Sequence, residues 1–241
     1  MVALIEGVLK SDAALADIAR ALPQTISVFE EAGIDYCCKG ARPLHEAAGS
    51  AGFTTDELLS MLEAAPTNGE RDWSEAPLAA LMEVLLQEHR ETILDALREV
   101  RQDIDTIQGT VWMAEARRLA VLASDFTTHV LAHITSEEQE LFPAIALLDA
   151  MSHGQTAGPM PPRVSQRVLQ EMIEHEALRD RLRTMRELAC RLPDIARGVA
   201  PLRAALREFS RAVHHHIHLE NNVLYPQAIE AENTLRRMPS S

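Results

Sequence analysis

One pattern occurs twice in this chain, and it limits what the chain can fold into more than any other feature does. Residues 133–143 and 216–226 both read His-Ile-x-x-Glu-x-x-x-Leu-aromatic-Pro, with His133, Glu137, Leu141, Phe142 and Pro143 in the first copy and His216, Glu220, Leu224, Tyr225 and Pro226 in the second. On a helix, a His and a Glu four positions apart project from one face, about 6 Å apart at the backbone. A single pair of this kind is ordinarily a surface interaction worth ~0.2–0.5 kcal/mol. Two of them inside the same apolar frame point instead to metal, because an imidazole beside a carboxylate is a donor set that iron accepts.

The background favours helices. Hydrophobic residues make up 46% of the 241 and aromatics only 4%, while Ala, Leu, Glu and Arg abound. The formal net charge of −13 repels nucleic acid and anionic membranes, so neither is expected as a partner. The start lacks a basic segment followed by an apolar run, and no later stretch approaches a membrane span, so a cytoplasmic protein is expected. Three cysteines, two of them adjacent at Cys37 and Cys38, make no disulfide framework and suit a reducing compartment.

In chain order, residues 1–65 read as a small helical domain. Helices are expected over 11–21 (capped by Ser11), 24–32 (ended by Gly33), 44–48 and 55–65, with the two adjacent thiols in the turn-rich segment 34–40. Residues 66–76, polar and broken by Pro and Gly, form the expected linker. Residues 77–235 then carry four amphipathic stripes, and 236–241 form a tail. The stripes run Leu78, Met82, Leu85, His89, Ile93, Ala96, Val100; then Phe126, Val130, His133, Glu137, Leu141, Ala144. The third is Val164, Val168, Met172, His175, Leu178, Leu182, Met185, Ala189, and the fourth Leu202, Leu206, Phe209, Val213, His216, Glu220, Val223. Each is apolar except where it holds His, or His and Glu, and an unpaired polar group on a buried face is costly.

Short connections between four helices imply an all-α, up-down-up-down bundle with a small N-terminal helical domain. His89 lies 20 residues before the break at Gly109 and His133 24 after it; His175 lies 21 before Ala196 and His216 20 after. At about 1.5 Å per residue, the four imidazoles fall near one level. Six groups then converge: His89, His133, Glu137, His175, His216 and Glu220. With both carboxylates bridging, each of two metals receives two imidazoles and two carboxylate oxygens, and an oxo or hydroxo bridge leaves one open position. This donor set favours iron or manganese over calcium, magnesium or structural zinc, and four imidazoles favour iron in redox use.

Other residues are secondary. His129, one turn before His133, is the one further imidazole in reach. His214, His215 and His218 point away from the stripe, into solvent or supporting roles, and His45 and His153 read as surface. Glu138 and Asn221 either orient imidazoles or sit at the surface. Cys190 reads as a small buried hydrophobe. Cys37 and Cys38 are either thiols packed in a helical module or a redox or iron-handling pair.

The segment Asp35-Tyr36-Cys37-Cys38-Lys39-Gly40, the later Asp72-Trp73 and Ala76-Pro77-Leu78, and the two His-x-x-x-Glu copies together resemble the di-iron iron–sulfur cluster repair proteins over nearly the whole chain. The resemblance implies a hemerythrin-like bundle with a non-haem di-iron centre, in which His89, His133, His175 and His216 are terminal ligands and Glu137 and Glu220 bridge. It further implies repair of clusters damaged by nitric oxide or peroxide, through iron supply to damaged iron–sulfur proteins and reaction with nitric oxide. Such a protein is more an iron donor than a classical enzyme. Two alternatives differ in class: a hemerythrin-like protein that reversibly binds nitric oxide or dioxygen, and a reductase of nitric oxide or peroxide fed by Cys37 and Cys38. The acidic surface and the thiol module allow a homodimer, though no stretch demands one.

Overall fold

The computed structural model describes residues 7–66, 73, 76–108, 114–155, 159–194 and 196–237. Most of the expected linker, the break at 109–110 and the last four residues of the expected tail lie outside these. Among the described residues the chain is all helix apart from turns and one isolated bridge. Contacts divide it into two units: residues 1–77 with 217–227, and residues 78–216 with 228–241.

The first unit holds α1 (Leu15–Ala21), α2 (Ile26–Ala32), α3 (Leu44–Ala51) and α4 (Thr55–Glu63). Helix α1 begins at Leu15 rather than at Ser11, because residues 11–14 pair with 42–45. The Leu44 and His45 amides donate to the Ala13 and Ser11 carbonyls, and Ala14 bridges Pro43. Gly33 and Gly52, at φ 67° and 85°, end α2 and α3 in the left-handed conformation. At the start of α4, the Thr54 hydroxyl accepts from the Glu57 amide while the Glu57 carboxylate accepts from the Thr54 amide, forming a capping box. Thr54→Ala is expected to cost about 1 kcal/mol, read as a lower denaturation midpoint at unchanged slope.

The second unit is built on four long helical runs, residues 217–227 of the last belonging to the first unit. They are α5 (Leu78–Glu88) continuing into α6 (Leu94–Gln108), α7 (Ala114–Ser136) into α8 (Phe142–Ser152), α9 (Val164–Cys190), and α10 (Val199–Leu219) into α11 (Tyr225–Arg237). Side-chain pairs set their directions. Ser136 meets Arg167, His133 meets Glu174 and His129 meets Arg181, so α7 and α9 run antiparallel. His89 meets His216 at one end of the first and last runs, and a Cβ on Gly198 would meet Ile107 at the other, so these are antiparallel too. Leu81, Leu85, Phe126, Leu182, Met185, Leu206 and Phe209 are buried between them, with the Phe126 and Phe209 rings edge to face at 5.7 Å.

Helix α9, which carries His175, is fixed at both ends by the last run. Glu232 accepts from the Val164 and Ser165 amides at 3.1 and 2.9 Å, satisfying N–H groups that the helix itself cannot. At the other end Arg203 donates to the carbonyls of Ala189, Cys190 and Leu192.

Three of the four runs are interrupted by a single wide π-turn, at His89–Ile93, Glu137–Leu141 and Glu220–Leu224. In each, the N–H five residues on reaches back: Leu94 to His89, Phe142 to Glu137, Tyr225 to Glu220. The aromatic-Pro ending fits this, since Pro143 and Pro226 lack an N–H where the ordinary ladder is already broken. Beyond the turns, Leu97 and Ile145 are buried and Ala96 and Ala144, which the sequence stripes carried, are partly exposed, while Val100 stays buried as expected.

Candidate metal centre

The π-turns begin at His89, Glu137 and Glu220, three of the six positions singled out by the sequence. All six of those side chains are buried. The His89 and His216 Nε2 atoms face each other at 2.9 Å, and those of His175 and His133 at 3.0 Å. Between the two pairs lies Glu137. Its Oε2 is 3.4 Å from His89 Nε2, while its Oε1 is 3.5 Å from His133 Nε2 and 3.9 Å from His175 Nε2. One carboxylate thus turns a different oxygen to each imidazole pair. Glu220 follows His216 by four residues along the same helical run, and His89, Glu137 and His216, like His133, Glu137 and His175, are grouped closely enough to hold a cation, with donor atoms within 4.8 Å of one another.

The donors fit a transition-metal ion. Two imidazole nitrogens about 2.1 Å from one cation stand ~3.0 Å apart when they subtend ~90°, against ~3.4 Å in a tetrahedron. Spacings of 2.9 and 3.0 Å are short enough for each imidazole pair to reach one cation. Carboxylates fully buried in an apolar bundle are otherwise expensive.

The far nitrogens of three imidazoles rest on carboxylates. Nδ1 of His216 lies 2.9 Å from Glu88, that of His133 3.0 Å from Glu171 and 3.3 Å from Glu174, and that of His89 3.2 Å from Glu138. Such partners fix the ring orientation and leave Nε2 to the metal. Burial pushes the Glu88 carboxyl up, but hydrogen bonds and charge from His215 and His216 outweigh it and hold the group at about 2. The His133 hydrogen bond likewise holds Glu174 at about 2. The Phe142 ring lies parallel to His89 at 5.9 Å, which gives the aromatic of the repeated pattern a packing role.

Glu138 supports His89, as one of its two sequence readings had it. Glu88, Glu171 and Glu174 were not singled out, although Glu171 stands one helical turn before His175, a mirror image of the repeated pair; it is Glu171 that is buried, while Met172 is partly exposed. His129 does not join the site: it is exposed, with its Nδ1 2.7 Å from the Asp125 carbonyl. His45 and His153 are at the surface as expected. Of the two places expected for His218, solvent or a supporting role, solvent is ruled out: the ring is buried, 5.4 Å from that of Tyr36. Asn221 donates to the Cys37 carbonyl, and Cys190 is exposed, not buried. Glu88→Gln is expected to weaken metal binding about 10–100-fold, measured by competition with a chromophoric chelator, whereas Glu138→Gln, at a more exposed carboxylate, has the smaller effect.

An antiparallel four-helix bundle with imidazole pairs on either side of a buried carboxylate defines a cation-binding protein of the hemerythrin type. Residues 56–145 and 168–238 match the hemerythrin HHE cation binding domain, and residues 11–66 match the ScdA N-terminal domain, described as a domain of unknown function (DUF542). The chain is 30% identical to the iron–sulfur cluster repair protein YtfE of Pectobacterium carotovorum subsp. carotovorum, over 92% of this chain and 98% of that protein. It is 29% identical to YtfE of Musicola paradisiaca (90% and 96% covered) and 27% identical to YtfE of Yersinia pestis (90% and 97% covered). The chain belongs to the iron–sulfur cluster repair protein family, with its N-terminal ScdA-type domain and hemerythrin HHE domain. Among the described residues, no helix is long and apolar enough to cross a membrane.

Proposed function

We propose that this protein restores iron–sulfur clusters damaged by nitrosative or oxidative stress, supplying iron from a two-iron, oxo- or hydroxo-bridged site and reacting there with nitric oxide. Its ligands are His89, His133, Glu137, His175, His216 and Glu220, in a bundle over 77–235 joined through 66–76 to the domain over 1–65. The observation that carries this reading is Glu137, with one oxygen toward each imidazole pair. Bound iron supplies a labile redox pair of ions. The chain's own groups hold it: four Nε2 atoms face inward, and Glu88, Glu138, Glu171 and Glu174 keep three of the rings in that tautomer. Few carboxylates among the donors leave the ions easier to release than an oxygen-rich cage does. The exposed position of His129 disfavours a fifth imidazole, and with it the dioxygen-carrier alternative.

The acceptors are damaged iron–sulfur proteins of the cytoplasm; the acidic surface is unsuited to nucleic acid or anionic membrane. The test uses iron-loaded protein and a ferredoxin whose cluster has been destroyed by nitric oxide, with sulfide and reductant present. Cluster absorbance should return with the wild type and fail with a Glu137→Leu, Glu220→Leu double variant. Equal recovery with both would overturn the reading.

A further inference from the structure

The thiol pair has a geometry that the bundle site does not use. Cys37 and Cys38 place their sulfurs 3.8 Å apart, and Asp35 Oδ1 lies 3.5 Å from Cys37 Sγ. Two sulfurs each ~2.3 Å from a tetrahedral cation stand ~3.8 Å apart, and a sulfur and an oxygen on the same ion stand ~3.6 Å apart. The three side chains are thus spaced as three ligands of one ion, and their donor atoms all lie within 4.8 Å of one another. We propose that Asp35, Cys37 and Cys38 form a second, separate site for one thiophilic divalent cation of the ferrous-iron or zinc class, with the fourth position open on the Cys38 side.

The segment is held in place before any ion arrives. Asp35 Oδ1 accepts from the Cys38 and Lys39 amides at 3.0 and 3.3 Å, which fixes the carboxylate against the thiols. Asn222 Nδ2 donates to the Cys37 carbonyl at 3.1 Å, and Asn221 reaches the same oxygen at 3.4 Å. Gly40 closes the turn where no larger residue fits: a Cβ would stand 2.6 Å from Ala16 Cβ and 2.8 Å from the Tyr36 carbonyl. Cys37 is buried and Cys38 partly exposed, so an ion enters past Cys38. The hydrogen bond with Cys38 and burial push the Cys37 thiol well above its ordinary range. Two thiolates beside a carboxylate are unstable without a counter-charge, and a cation supplies it. Binding therefore exchanges protons for the ion: two S–H bonds break, two sulfur–metal bonds form and two protons leave to solvent.

This site is independent of the bundle reading, and the test separates them because the six bundle donors include no sulfur. Reduced, metal-stripped full-length chain carrying Cys190→Ser is titrated with Co(II) without oxygen. A thiolate-to-cobalt charge-transfer band should grow in the near ultraviolet to one equivalent per chain beyond the bundle's share, with release of about two protons. Cys37→Ser with Cys38→Ser should abolish that band and leave the weak nitrogen–oxygen bands of the bundle. Asp35→Asn should keep the band but weaken binding about 10-fold or more. In the unmutated thiol pair, Zn(II) should also protect Cys38 from alkylation, a readout that needs no change in the pair. Absence of the band, its survival in the double variant, saturation at one ion per two chains, unaltered affinity in Asp35→Asn or unaltered alkylation would each overturn the proposal.

Discussion

Replacing Glu137 with leucine should strip the bundle of metal, lowering affinity at least ~100-fold, the upper end of what even a supporting partner costs. The reason is position. Each histidine faces a single partner imidazole, but Glu137 turns Oε2 to His89 and Oε1 to His133 and His175, so its loss removes a ligand from both halves at once. The fold should survive, because leucine fills most of the volume vacated by the fully buried Glu137 side chain. Removing one partner of a buried charge pair is costly only while the other stays charged, and the imidazoles around Glu137 can shed their protons and remain neutral. The expected result is a metal-poor protein by elemental analysis whose melt is at or above that of the metal-stripped wild type. Glu137→Gln, which keeps shape and loses charge, should fall between the two. A wild-type metal ratio in Glu137→Leu removes this residue from the ligand set.

The six buried positions were legible because a polar residue on an otherwise apolar stripe has few explanations, and the duplicated pattern repeats the anomaly in one frame. Spacing from the turns was enough to bring His89, least marked by motif, to within 2.9 Å of His216. What escaped was anything that depends on departures from the regular period. Leu97 and Ile145, not Ala96 and Ala144, continue the buried face beyond the π-turns. The supporting carboxylates escaped for a related reason. Glu88 and Glu174 each stand one position before a stripe histidine, where a sequence reads as solvent, yet each reaches an Nδ1 on a different helix. Cys190 shows the opposite error: a cysteine in the last turn of α9 resembles a core residue by composition, but the carbonyl clamp by Arg203 at that end leaves its thiol outside. His218 is buried by packing against Tyr36, a partner 182 positions away that no local pattern reveals.

Removing the metal should lower the melting temperature by about 8–16 °C. Metal held at about 1,000 times its dissociation constant contributes ~4 kcal/mol to the folded state, and each kcal/mol moves the midpoint of a chain this long by ~2–4 °C. The strain of the metal-free site comes from the same residues. Glu137, Glu171, His175 and Glu220 are wholly buried and His89 nearly so, and without a cation these groups must share protons, or leave charge uncompensated, at the level where the π-turns interrupt three of the four runs. Loosening is therefore expected first at that level, seen as faster amide exchange around residues 133–141 and 216–224, while the Phe126–Phe209 layer stays protected. Acid should reproduce the effect, since protons compete with the metal for the imidazole nitrogens: the metal-loaded curve joins the metal-stripped one as pH falls. The Glu137→Leu, Glu220→Leu variant that also carries Cys37→Ser and Cys38→Ser supplies the control, as chelator should leave its melt unmoved. A wild-type melt unaffected by chelation would mean that no cation sits among these side chains.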